Sequence, residues 1–148
     1  MTNHKISVRP ACYGPYNMVA YEHVQEIGVK YLEINVPDNV DLFRDMKEDE
    51  DLDFEVGSFI HPIIADSRKA EKKFRKACET CSEFDYLYFF SSVKTKGKFA
   101  KKAEKGYETL RKLGDIAEEY DTFISMETHP PFCTNAAEML RTKKKVDH

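Results

Sequence analysis

Short stretches of alternating apolar residues take turns along this chain with longer stretches at helical spacing. Lys5–Arg9, Lys30–Val36, Phe54–Ile60, Tyr86–Phe90 and Thr122–Glu127 read as strands. Asn17–Glu26 places Ala20, Val24 and Ile27 on one helical face, and Gly28 supplies a stop. Asp38–Glu48 reads as a weaker helix that runs into acidic residues. Asp66–Cys81 carries Ala70, Phe74, Ala77, Cys78 and Cys81 along one face. Lys101–Tyr120 carries Ala103, Tyr107, Leu110, Gly114 and Ala117. Thr134–Lys145 is the last helix, with Thr134 or Asn135 as N-cap.

Five β–α units in a row predict a parallel sheet of the α/β class. The strand faces favour a (β/α)8, TIM-type barrel over an open doubly wound sheet. Central strands of an open sheet are apolar on both sides. Here Ile6 and Val8 oppose Ser7 and Arg9, and Leu32, Ile34 and Val36 oppose Tyr31, Glu33 and Asn35. Val56 and Ile60 oppose Glu55, Gly57 and His61, and Ile124 and Met126 oppose Ser125, Glu127 and His129. The apolar faces would meet helices; the mixed faces would line a lumen that becomes polar toward the C-terminal mouth. No G-x-G-x-x-G or P-loop sequence supports a nucleotide-binding open sheet.

Length sharpens this picture. The chain has 148 residues, read as one domain spanning 1–148, whereas a complete barrel needs about 250. It would therefore be incomplete, with five units present and an open sheet edge that invites self-association. With 23 Lys and Arg against 26 Asp and Glu the net charge is −3, which speaks against a dedicated nucleic-acid binder. No stretch has the roughly 18 apolar residues of a membrane span. Met1–Lys5 is polar, so no signal peptide is expected, and the four cysteines fit reduced thiols in a cytoplasmic protein.

The residues with the most chemistry lie in Met126-Glu127-Thr128-His129-Pro130-Pro131. Glu127 ends the fifth strand and His129 shares its face if the strand continues, with the double proline extending the loop beyond. A carboxylate and an imidazole at a barrel mouth suit a divalent metal or a substrate; a surface Glu and a loop His are the plain alternative. His61, before Pro62, is a ligand, a substrate donor or a structural cap of the sheet. Glu33 has Arg9 on the neighbouring strand, which reads first as an ion pair and second as a substrate contact. Cys78-Glu79-Thr80-Cys81 lies late in a helix on its apolar stripe, so core cysteines are expected rather than a redox pair. Lys94, Lys96, Lys98, Lys101, Lys102 and Lys105 form a basic run that could meet phosphate, though a solvated surface is its usual meaning.

Arg9-Pro10-Ala11-Cys12-Tyr13-Gly14, Tyr31-Leu32-Glu33, Phe59-Ile60-His61-Pro62 and Met126-Glu127-Thr128-His129 together resemble the sugar phosphate isomerase/epimerase group of the xylose-isomerase-like barrel superfamily. The resemblance implies proton transfer next to a sugar carbonyl through an enediolate. It implies that Glu127 both ligates a divalent Mn, Mg, Co or Zn ion and acts as an acid/base carboxylate. His61, His129, Arg9 and Glu33 would face the sugar or sugar phosphate. The family's other ligands, an Asp, a His and a second Glu, come from strands six to eight, beyond the last helix of this chain. The chain by itself is thus expected to hold metal weakly or not at all and to catalyse little. Two rivals remain: an abasic-site endonuclease-like metal hydrolase on the same scaffold, and a non-catalytic half-barrel that acts through assembly.

Overall fold

The computed structural model describes residues 5–49, 52–84, 88–96 and 99–148. It is an α/β structure of parallel strands and helices, and its contacts group it into two compact units, Met1–Ile60 and His61–His148.

In the first unit β1 (Ser7–Val8) leads into a tight 3-10 stretch over Pro10–Val19, then α1 (Ala20–Glu26). The helix predicted from Asn17 starts three residues later. Gly14 sits at φ 58° and Pro15 has no amide hydrogen, so an α-helical ladder cannot form across them. Gly28, at φ 77°, ends the turn after α1 as expected. β2 (Tyr31–Asn35), α2 (Val40–Lys47) and β3 (Glu55–Ile60) follow. Val40, Phe43 and Met46 bury the apolar side of α2. β1, β2 and β3 pair in parallel in that order.

The β2–β3 register contains an irregularity that two-residue periodicity does not reveal. Leu32 pairs with Val56, but Glu33 pairs with Ser58, so Gly57 is an inserted residue. A side chain there has no room: a Cβ would lie 2.7 Å from Ser7 Cβ and 3.2 Å from Tyr31 Cβ. The insertion reverses parity. Phe59 joins the buried face of Leu32 and Ile34, and Ile60 takes the face of Glu33 and Asn35. The alternation read from sequence, with Val56 and Ile60 on one side, therefore holds only up to Gly57.

The second unit contains β4 (Ile63–Ile64), α3 (Ala70–Cys81), β5 (Tyr88–Ser91), β6 (Val93–Lys94), α4 (Phe99–Glu119), β7 (Phe123–Met126) and α5 (Ala136–Val146). β5 pairs with β7 in parallel, Tyr88 opposite Phe123 and Ser91 opposite Met126. The short β4–β6 pair is absent from the sequence reading, and it explains why α3 starts at Ala70 and not at Asp66. Ile63 N–H donates to Ser92 O and Ala65 N–H to Lys94 O, and the Asp66 carboxylate accepts from Lys96 N–H at 2.8 Å. Those residues are committed to strand pairing before a helix can begin. The predicted strand from Tyr86 is described from Tyr88 onward; Tyr86 and Leu87 lie outside the described residues.

Phe74 of α3 meets Phe89 of β5 edge to face at 5.1 Å between ring centroids, and both are fully buried. Cys78 and Cys81 lie in the same core, as the apolar stripe required, and burial pushes the Cys78 thiol up to about 12. α4 buries Tyr107, Leu110, Leu113, Ile116 and Ala117. α5 is capped by Asn135, whose side chain accepts from Glu138 N–H at 3.1 Å, while Glu138 Oε2 accepts from Thr134 N–H. Among the described residues no helix is long and apolar enough to cross a membrane.

Candidate functional site

Glu127 follows the last residue of β7, and its N–H donates to Ser91 O at 2.9 Å, so the parallel pairing with β5 continues one step past the strand. That bond fixes the backbone from which the carboxylate projects. His129 Nε2 lies 3.2 Å from Glu127 Oε2. The two side chains are 38% and 40% exposed, so the pair is open to a solute.

The loop that carries them is held from beneath. Cys133 Sγ donates to Glu127 O at 2.6 Å and lies 3.6 Å from His129 O, and Cys133 N–H donates to His129 O. Phe132 is fully buried and meets Tyr107 edge to face at 5.5 Å. Its ring fits only because position 106 is glycine: a Cβ there would lie 2.5 Å from Phe132 Cζ. Thr142 Oγ1 of α5 donates to Phe132 O. The double proline was expected to continue the chain in extended form. Instead the chain turns over Pro130–Phe132, bringing Phe132 and Cys133 back under Glu127. The roles of Cys133, Phe132 and Gly106 do not follow from the sequence pattern. The visible signal was an aromatic residue just ahead of a helix cap, which packs its loop on the core.

His61 is placed differently from the polar face assigned to it. It is 8% exposed, and its ring packs against Phe74 at 5.8 Å and Phe89 at 6.4 Å between centroids. Its N–H donates to Phe90 O. One edge of the ring reaches a small cavity with Ser67, Lys73 and Lys96. Glu127 and His129 are thus brought together, while His61 belongs to the aromatic core of the same unit.

Arg9 and Glu33 lie in the first unit. Arg9 Nε is 3.5 Å from Glu33 Oε2, and Ser7 Oγ donates to Glu33 Oε1 at 3.3 Å. The expected ion pair is present, with both side chains about a quarter to a third exposed, in the range where such pairs contribute about 1 kcal/mol or less.

The donor set was tested against a divalent metal. Glu127 and His129 supply two donors, and among the described residues no group of three or more His, Cys, Asp or Glu side chains could hold an ion. A zinc site takes three or more protein donors, so among the described residues Glu127 and His129 do not make one by themselves. What the pair can do unaided is proton transfer: a carboxylate base with an imidazole at hydrogen-bonding distance.

The Ile124–Met126 side of β7 faces α4 and α5 across an apolar cavity of about 540 Å³. Phe123, Met139 and Leu140 are exposed near it. No protein-family model and no curated protein matches this chain.

Proposed function

We propose that this chain carries the proton-transfer carboxylate of a sugar or sugar-phosphate isomerase or epimerase, on part of a (β/α)8-type barrel in the cytoplasm. The observation that carries the reading is the Glu127–His129 pair at the C-terminal end of a parallel strand, where barrel enzymes place their chemistry.

In this reading Glu127 removes the proton on the carbon beside the sugar carbonyl. The C–H electrons form the enediol carbon–carbon double bond, and the carbonyl oxygen gains a proton from the imidazolium form of His129. Glu127, now a carboxylic acid, returns its proton to the neighbouring carbon for isomerisation; epimerisation would need a second acid on the opposite face of the enediol, a face that Glu127 does not reach. The second hydroxyl of the enediol gives a proton back to His129 in the former case. Substrate and product have the same oxidation level overall, so no electron acceptor is required.

The test is deuterium exchange. The full chain is incubated in D2O with a panel of aldoses, ketoses and their phosphates, and loss of the carbon-bound proton beside the carbonyl is followed by proton NMR. Exchange above buffer that falls about a hundredfold or more in Glu127→Gln, and less in His129→Gln, is the expected result. Equal exchange in native protein and Glu127→Gln overturns the reading, and so does exchange no faster than buffer across the panel.

A further inference from the structure

A second polar cavity lies in the His61–His148 unit, where the β4–β6 pair meets the start of α3. It measures about 80 Å³. That is room for two or three waters, the size class of one tetrahedral oxyanion. Its polar wall is His61, Ser67, Lys73 and Lys96, over a floor of Ile63 and Ile64. Among the described residues no carboxylate lines it, although the chain has a net charge of −3.

Several of the chain's lysines are neutralised, whereas these two, like Lys69, Lys72, Lys76, Lys94, Lys105, Lys143 and Lys144, are exposed and form no ion pair with a described residue. Lys30 is paired with Asp53 and Glu55, Lys102 with Asp66, Lys112 with Glu71 and Lys145 with Glu104. Lys73 and Lys96 have no carboxylate within ion-pair distance among the described residues. The acidic groups nearest in sequence are already engaged. Asp66 is 3% exposed at its side chain, accepts from Lys96 N–H and pairs with Lys102. Glu71 is engaged by Lys112. Two uncompensated ammonium groups beside one small cavity raise the local potential in favour of an anion. Ala70, the first residue of α3, also lines the cavity; Ser67 Oγ accepts from Lys69 N–H at 3.3 Å at that helix start, and the helix dipole adds partial positive charge to the same wall.

We propose that this cavity binds a phosphate group, as the free dianion or as the phosphate end of a small phosphorylated metabolite. Lys73 and Lys96 supply the counter-charge and Ser67 Oγ a hydroxyl donor. The cavity takes one compact group and not an extended polyanion. The inference stands on these lysines and is independent of the role given to Glu127.

Titration of the full chain with inorganic phosphate, by calorimetry and by amide NMR shifts in about 150 mM chloride, tests it. Saturable one-to-one binding with shifts centred on residues 67–73 and 94–96 is expected. Each of Lys73→Gln and Lys96→Gln should weaken binding about tenfold, the usual consequence of losing one charge-assisted contact. Lys143→Gln/Lys144→Gln on α5 should leave it unchanged. Thermal unfolding of the Lys73→Gln/Lys96→Gln protein checks that it folds. A hexose phosphate that binds more tightly than phosphate assigns the cavity to a phosphorylated metabolite; equal affinity assigns it to the free ion. An unphosphorylated hexose should not compete. Non-saturating shifts, or native affinity in the Lys73→Gln/Lys96→Gln protein, overturn the proposal. Glu127→Gln should bind phosphate like native protein, so loss of proton exchange and loss of phosphate binding are separate outcomes.

Discussion

The contact between Gly106 and Phe132 can be probed by a double-mutant cycle whose sign is fixed by the packing. Phe132 is fully buried, so Phe132→Ala should cost about 3–5 kcal/mol, the range for emptying a buried phenylalanine site. Gly106→Ala alone places a methyl 2.5 Å from Phe132 Cζ and 3.0 Å from Cε1. Overpacking of that kind costs about 1–3 kcal/mol. It is partly offset by about 0.5–1 kcal/mol, because alanine suits the interior of α4 better than glycine. The net expectation is a loss of about 1–2 kcal/mol. With the ring removed the clash disappears, and the same Gly106→Ala change should stabilise by about 0.5–1 kcal/mol. The two changes are therefore coupled by about 2 kcal/mol, in favour of the double variant. Urea unfolding at constant m-value measures all four corners. Additivity within about 0.5 kcal/mol would refute the reasoning, since it would mean that the ring does not press on position 106.

Two further expectations follow from burial and charge. Cys12 is exposed while Cys78, Cys81 and Cys133 are buried, and the Cys78 thiol is pushed up to about 12, so one thiol should react rapidly with a disulfide reagent at neutral pH; a second fast thiol in the folded protein, located by peptide mapping, would contradict the core placement. Asp66 is held below its ordinary value of 3.8, chiefly by the N–H of Lys96 and further by Lys102, against the opposing effect of desolvation. A depressed carboxyl adds stability that is complete above the unfolded value and is lost as pH falls through the folded one. Asp66→Asn should therefore destabilise the protein at neutral pH, with the gap to native closing in acid below the unfolded value. A gap that stays constant into that acid range would show that Asp66 acts through its shape rather than its charge.

The alternation of strands and helices was legible because each element presents its own face: the buried stripe of α3 lies where helical spacing put it, and Tyr107, Leu110 and Ala117 of the α4 stripe are buried, although Ala103 and Gly114 are only half-buried and Leu113 and Ile116 complete that face. The Asn135 cap was legible because its bond to Glu138 is local. What escaped depends on contacts between distant positions. The Gly57 bulge is imposed by Ser7 and Tyr31, residues 50 and 26 positions earlier, and nothing near Gly57 announces it. A two-residue alternation carried past such an insertion assigns every later side chain to the opposite face. The β4–β6 pair escaped for the same reason: two residues per strand carry no period, and their pairing is known only once Ser92 and Lys94 offer their carbonyls. In the candidate site, Glu127 and His129 were legible as chemistry, whereas the seat beneath them, Phe132 against Gly106, joins positions 26 apart.

That seat explains why the chemistry of Glu127 can be tested apart from the fold. The backbone of the loop is fixed by Ser91 O at one end, by the Cys133 thiol under Glu127 O in the middle, and by Phe132 and Thr142 at the other end. None of these contacts uses the Glu127 carboxylate or the His129 ring. Among the described residues the Glu127 carboxylate and the His129 ring meet only each other, at 3.2 Å and more than a third exposed, so their pairing contributes about 1 kcal/mol or less to stability. Glu127→Gln keeps the shape of the side chain and every backbone contact, and removes the proposed base. A functional site on a rigid loop with exposed reacting groups has this division of roles, because geometry must be held by atoms that the reaction does not consume. A large stability loss in Glu127→Gln would mean that the carboxylate itself holds the loop, and the distinction between seat and reacting group would fail.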